Sequence, residues 1–578
     1  MTFATAIISI RVTRANTCRR IRVLVTAAGL ISATLVASYP AREQGFRNGA
    51  VVSVDPLASS VGVEILKKGG NAVDAAVATG LALAVTWPGA GNLGGGGFML
   101  IYLAGKRQVT AIDYREKAPE KSTQRMFLDP NGEVDPGKAD VGQLVIGVPG
   151  TVRGFWEASR HYGNLNWPTL VEPALRLARD GFVVDEVLAR SLRGQARWMD
   201  QFAEFGRDFR KPDGRYYEAG ETLKQPDLAW TLQLIHDQGA DAFYKGEIAK
   251  KTVDDLQANG GIVTLKDLAN YTARIRHPVR GTYRGYEIIG MPPSSSGGTT
   301  VIQMLNILEG YDLSETKRRA PSTIHLLAET MRLGFYTRAK YLGDTDFVRV
   351  DLEQLTSKPF ARSLREKINR THATSSLSLG RDIVTRPEGT NTTHFSVVDA
   401  QGNAVANTYT LEDLYGSRVI AKGTGFLLNN EMHDFNLNPG ITDTKGLIGT
   451  KPNLIEPGKR MLSSMTPVIV LKGGKPFLVT GSPGGRTIIN TVLQVIVNVI
   501  DFKMDIQSAV DEPRVHHQWM PDTLVLERPL EGIVPELGAM GDQTRVGGNQ
   551  GDAHSILIRD GERYPGVDHR VRGAAAGY

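Results

Sequence analysis

The stretch GTNTTHFSVVDAQGNAVANTYTLEDLYGS, Gly389 to Ser417, decides how this chain is read. Two runs with the β-branched and aromatic texture of strands flank the turn residues DAQGN, Asp399 to Asn403. These residues favour a three-residue loop of Ala400, Gln401 and Gly402, with the glycine in the αL position after a type I turn. That loop pairs Asp399 with Asn403 and sets Thr392 opposite Thr410, whereas a two-residue loop would shift the partner by one position. Two hydroxyls then face each other at the open end of the hairpin, next to Asn391.

A threonine hydroxyl is a poor nucleophile without a base beside it. One solution makes the threonine an N-terminus, so that its own α-amine, titrating near pH ~7.7 to 8, takes the proton. In mid-chain this requires cutting the bond between Asn391 and Thr392, and the same hydroxyl can attack the preceding carbonyl. Taken alone, Thr392 and Thr393 read as ordinary strand threonines.

At 578 residues the chain can bury a large core, as one big layered domain or as two. The formal net charge is +6, but residues 1–41 hold Arg11, Arg14, Arg19, Arg20 and Arg22 with no acid, so the remainder carries +1. The basicity belongs to that leader, and no basic run interleaved with aromatics follows, so no nucleic-acid partner is expected. The apolar run VLVTAAGLISATLVAS after the arginines reads as a secretory signal over 1–38, its boundary extending to 41 at most. The mature chain would then start near Tyr39 in a periplasmic or extracellular space, meeting a membrane only if the leader stays uncleaved. The single cysteine, Cys18, falls inside the leader, which excludes disulfides, thiol catalysis and cysteine-ligated zinc downstream.

After the leader, Asp55 and Pro56 open one helix that Gly69 and Gly70 end, and Asn71 caps an alanine-rich second helix stopping before Pro88. The glycine run Gly94 to Gly97 follows a helix rather than a strand, so it reads as backbone packing and not as a phosphate loop. Strand-like runs mix with helices up to about Gly380; hairpins dominate beyond Asn391, interrupted by the helical run TIINTVLQVIVNVIDF. Helices covering sheet faces in a layered α+β arrangement are the expectation. His516 and His517 are adjacent, point to opposite faces of a strand and lack a third ligand, so they read as structural.

The chain resembles the γ-glutamyltranspeptidase family of N-terminal-nucleophile hydrolases. The resemblance is carried by TTHFSV (Thr392–Val397), GNAVANTYTLE (Gly402–Glu412), and Tyr415–Gly416. It extends through DYREKAP, MPPSSSGGTT, LLNNEMHDF, MLSSMTPVIV, TGSPGGRTIIN and HHQWMPD, in order, over nearly the whole mature chain. It implies an αββα fold of stacked sheets covered by helices. It implies self-cleavage into a large subunit, 39–391, and a small subunit, 392–578, which together form one core as a heterodimer. The implied activity moves the γ-glutamyl group of glutathione and related amides to water or to amino acid and peptide acceptors, without metal or cofactor.

By the same resemblance Thr392 is the nucleophile, Thr410 assists beside the new amine, and Gly484 and Gly485 supply oxyanion donors. Arg115 with Ser463 and Ser464 matches the clamp for the substrate α-carboxylate, and Glu412, Glu431 and Asp434 match the ligands of its α-ammonium. Taken singly, each is an ordinary surface charge, turn or cap. Two departures stand out: Glu412 and Glu431 occupy places where bacterial members often carry amides, and Lys445 stands where a gating tyrosine is often found. Three carboxylates around one site should raise at least one of their pKa values by mutual repulsion. The rival readings are a glutaryl-type acylase of the same fold, which needs no ammonium site, and a non-cleaving protein that binds γ-glutamyl peptides.

Overall fold

Strands Thr393–Val398 and Ala404–Thr410 form the expected hairpin, with Val398 opposite Ala404 and Thr393 opposite Tyr409. Asp399 N–H donates to the Asn403 carbonyl at 3.0 Å across the loop, and Gly402 takes φ +85°. Continued by one step, this register sets Thr392 against Thr410. The computed structural model describes residues 45–380, 391–440 and 450–578, so the leader, Cys18 and Lys445 lie outside the described residues.

The hairpin occupies the middle of a seven-stranded antiparallel sheet. In spatial order its strands are Ala574–Gly577, Ala50–Ser53, Thr393–Val398, Ala404–Thr410, Gly96–Leu103, Gln108–Asp113 and Arg274–Arg276. A six-stranded sheet runs in the order Glu562–Val567, His554–Arg559, Lys475–Thr480, Val468–Lys472, Tyr286–Gly290, Val279–Tyr283. Both sheets take strands from either side of Thr392. A cut there would leave two chains sharing one core.

Side-chain alternation sorts the core into layers. Phe395, Val397, Val405 and Tyr409 face helices such as Pro56–Lys67 and Ala72–Thr86. Val398, Ala404 and Ala406 face the second sheet, where Ile289, Ile469, Val479 and Ile556 meet them. The outer face of that sheet packs under Gly297–Leu308, Pro321–Tyr341 and Thr487–Ile500. Helix, sheet, sheet, helix is the αββα arrangement expected. Because both faces of the hairpin are covered, every residue of both strands is buried, polar ones included.

The helix caps match the sequence reading. The Asp55 carboxylate accepts from Ala58 N–H at 2.9 Å, and Asn71 with Asp74 forms a reciprocal capping box. The glycine run packs backbone against backbone: a Cβ at Gly95 would lie 2.0 Å from the Thr410 carbonyl oxygen, and one at Gly97 would lie 2.4 Å from the Tyr409 Cβ. A third, at Gly96, would lie 2.6 Å from a Glu116 carboxylate oxygen, so the run also makes room for an acid beside Arg115.

Candidate active site

Thr410 Oγ1 donates to the Asn391 carbonyl oxygen at 2.7 Å and accepts from Glu412 N–H at 2.9 Å. A donor on that carbonyl stabilises the oxyanion that forms if Thr392 attacks it. Glu412 holds φ +81°, a conformation that a non-glycine residue keeps only where its surroundings fix it.

Asn92, which the sequence reading did not single out, anchors this strand end. Its Nδ2 donates to the Thr410 carbonyl at 2.9 Å, and its Oδ1 accepts from Gly95 N–H at 3.0 Å and from the Thr151 hydroxyl at 2.6 Å. Thr392 lines a cavity of about 200 Å3 together with Trp87, Leu414, Gly484 and Asp552. Gly484 and Gly485 take φ +129° and +56° in the loop before helix Thr487–Ile500. The structure thus brings Gly484 to the same cavity as Thr392; Gly485 follows it in the loop at the helix start.

The residues assigned to the substrate zwitterion come from four segments. Arg115 is fully buried; its Nη1 lies 2.5 Å from Glu431 Oε2, its Nη2 pairs with Asp434, and its Nε donates to the Met461 carbonyl at 3.3 Å. Glu431 belongs to the short helical turn Glu431–Asp434, which hangs on Asn430: the Asn430 N–H donates to the Leu411 carbonyl at 3.0 Å, directly after Thr410. Glu412 is buried at the same strand end and acts electrostatically on Glu431. Ser463 and Ser464 follow Met461, both buried. The Ser463 hydroxyl accepts from Met465 N–H at 3.1 Å, and the Ser464 hydroxyl accepts from Arg338 at 2.9 Å. Arg338 also donates to the Ser296 hydroxyl at 2.8 Å; it is a second guanidinium at this segment that sequence reasoning missed.

Burial pushes the Glu431 carboxyl well above its usual range, against the pull of Arg115, and Glu116, Asp434 and Glu412 push it further. The rise foreseen from repulsion is thus present with burial as its larger cause. Glu116, unassigned by the sequence, is likewise fully buried, 3.6 Å from Arg115; burial pushes it up to about 8 despite Arg115. Arg115 itself would lose charge by burial, but Glu431, Asp434 and Glu116 outweigh that and keep it protonated.

One pH prediction follows from Glu116. Between its usual value of 4.5 and about 8 the folded protein holds a proton that the unfolded chain has released. Its stabilising contribution is therefore complete below 4.5 and is lost as pH rises toward 8. Glu116→Gln protein should lose less Tm than the parent between those two pH values in thermal unfolding at matched ionic strength. Parallel Tm curves would show that Glu116 stays ionised.

His516 and His517 are both held by hydrogen bonds. His516 reaches Asn490 at 2.7 Å and Gln518 at 2.9 Å; His517 reaches Arg332 at 3.0 Å and Asp522 at 3.2 Å. Among the described residues no group of histidine, cysteine and acid side chains is arranged to hold a metal ion.

A family model described as gamma-glutamyltranspeptidase matches residues 58–578. The chain is 45% identical over 552 residues to the glutathione hydrolase proenzyme of Escherichia coli (strain K12), with 94% of each covered. It is 39% identical over 502 residues to the acylase ACY 1 proenzyme of Pseudomonas sp. (strain SE83), covering 84% of this chain and 85% of that one. Among solved structures it superposes on a cephalosporin acylase from Bacillus halodurans with a TM-score of 0.82 at 27% identity, covering 95% of this chain and 99% of the other.

Proposed function

The chain belongs to the gamma-glutamyltranspeptidase family, and from that membership together with the site we propose that it is a self-cleaving γ-glutamyltransferase and glutathione hydrolase. The observation that carries the reading is the Thr410 hydroxyl donating to the Asn391 carbonyl, with Glu412 of the acidic cluster bonded to that same hydroxyl. In the first reaction Thr392 Oγ1 attacks the Asn391 carbonyl carbon while Thr410 supports the developing oxyanion. The carbon–nitrogen bond breaks, the released amine takes the hydroxyl proton, and water hydrolyses the resulting ester. The products are the large subunit, 39–391, and the small subunit, 392–578.

The freed α-amine of Thr392 then serves as base. Thr392 Oγ1 attacks the γ-carbonyl of the substrate, and the backbone N–H groups of Gly484 and Gly485 face the oxyanion. The amine passes its proton to the leaving amine, leaving a γ-glutamyl-threonine ester that water or an acceptor amine resolves. Arg115, with Ser463 and Ser464, takes the substrate α-carboxylate; Glu412, Glu431 and Asp434 take its α-ammonium. Arg115 pairs with Glu431 and Asp434, so a substrate zwitterion would exchange its own charges for part of that internal pairing.

The acylase relatives keep a second reading open to test, and the acid cluster argues against it, since a glutaryl group carries no ammonium for it to hold. The protein is proposed to act after export, with the mature chain beginning near Tyr39. Purified protein should give two masses that part between Asn391 and Thr392, with Thr392 as the N-terminus of the smaller chain. It should hydrolyse γ-glutamyl-p-nitroanilide far faster than its glutaryl counterpart. A single uncut mass would favour the binding-protein reading, and equal rates on the two anilides would favour the acylase.

A further inference from the structure

Glu116 is not among the substrate ligands named so far, yet it stands at the same guanidinium. Its carboxylate lies 3.6 Å from Arg115 Nη1, the nitrogen that Glu431 already holds at 2.5 Å, while Asp434 pairs with Nη2. The side chain is fully buried, and apart from its own amide neither carboxyl oxygen has a hydrogen-bond partner among the described residues. Two glycines shape the space around it: a Cβ at Gly96 would lie 2.6 Å from Glu116 Oε2, and one at Gly147 would lie 3.1 Å from Glu116 Cβ. An ionised carboxylate in such a place is costly unless it is paired and hydrogen-bonded, and the guanidinium beside it is shared with two other acids. The remaining groups that face it do not help. Asp434, Asp113 and Glu431 repel its charge, and Tyr114, Tyr244 and Tyr271 bring phenols that burial keeps protonated.

We propose that Glu116 is a positioning residue for substrate binding: as a neutral acid it leaves Arg115 to the α-carboxylate of the γ-glutamyl group, and as a carboxylate it competes with that group for the same guanidinium. This role rests on the γ-glutamyl reading of the pocket and adds to it an upper pH limit on binding. Glu116 stays neutral up to about 8, since burial outweighs the pull of Arg115. A substrate carboxylate arriving at Arg115 brings a further negative charge to the pocket, so the complex favours neutral Glu116 still more. Binding and ionisation of Glu116 therefore oppose one another, and the limit falls on KM rather than on kcat. Glu431 works in the opposite sense: as a ligand of the ammonium it binds better ionised, so its titration lowers KM as pH rises. The α-amine of Thr392 likewise gains as a base when it loses its proton.

The test measures KM and kcat for γ-glutamyl-p-nitroanilide on the processed parent enzyme from pH 7 to 9 at constant ionic strength. One pH unit above the Glu116 value of about 8, roughly one enzyme molecule in ten keeps the neutral acid, so the parent KM should climb about tenfold by pH 9 while kcat does not fall. Glu116→Gln, neutral at every pH, should flatten the climb. Glu116→Asp, whose acid sits a methylene further back, should move the climb to another pH rather than remove it. The substrate's own ammonium titrates alike in parent and variants and cancels in the comparison. A side chain that served packing alone would change both constants in Glu116→Gln by one factor at every pH. The assignment is overturned if the parent KM stays flat across the range, or if the climb survives in Glu116→Gln. The parent alone supplies the first of these outcomes, so a variant that fails to fold does not shield the assignment. Parent enzyme active on the anilide with a flat KM refutes the role of Glu116 alone. Parent enzyme inactive on the anilide refutes the γ-glutamyl reading and this role with it.

Discussion

Thr392→Ala protein is expected to remain a single uncut chain with no measurable γ-glutamyl transfer, while folding as the parent does. Both losses have one cause. On the proposed mechanism the hydroxyl is the attacking atom in cleavage and in turnover, and without cleavage the α-amine that would act as base stays locked in the Asn391 amide. Loss of a nucleophile typically removes most of a rate enhancement of ~10⁶-fold or more. The fold should persist because Thr392 precedes strand Thr393–Val398, and the hydrophobic layers above and below that strand do not depend on its hydroxyl. Intact mass and an anilide assay on the same preparation suffice, and recovery of processed, active Thr392→Ala enzyme would remove Thr392 from the site. Thr410→Ala should give a milder defect, slow cleavage rather than none, because it deletes the donor to the Asn391 carbonyl and spares the nucleophile.

The second large effect is expected at Arg115. Arg115→Lys keeps the charge but not the fork: one guanidinium reaches Glu431 through Nη1, Asp434 through Nη2 and the Met461 carbonyl through Nε. A lysine ammonium at the end of a flexible stem cannot serve those partners and a substrate carboxylate in one geometry. The cost is on the order of 2 to 5 kcal/mol, as for truncating one partner of a buried pair, which is a rise of about thirtyfold to several thousandfold in KM. Unchanged kinetics would place Arg115 outside the substrate pocket. The variant should also be less stable, since Glu431, Asp434 and Glu116 then share a poorer counter-charge in a buried site.

How far these expectations were legible in the sequence differs from residue to residue. The hairpin and its register were readable because they rest on local chemistry: strand propensity on either side of DAQGN and a glycine suited to positive φ at residue 402. The caps at Asp55 and Asn71 were readable for the same reason, since each bond spans three residues or fewer. The roles at Arg115, Glu431 and Ser463 were reached only through family motifs. Nothing within a few residues of Arg115 says that it will meet groups more than 300 positions away.

The rest belonged to tertiary structure. Asn92 reads as one polar residue before a glycine run, yet it grips the strand end that carries Thr410 because the run lets two backbones close to within bonding distance. Glu116 drew no sequence assignment, but burial drives its pKa upward, and burial is a property of the layers closing over it. The sequence by itself determined the nucleophile's hairpin, the register opposite Thr410 and the helices that flank them, because those are set by interactions between near neighbours. Which charges lie in one pocket, and how far from water they lie, was decided only by chain packing, because Coulomb and desolvation energies depend on distance in space and not along the chain.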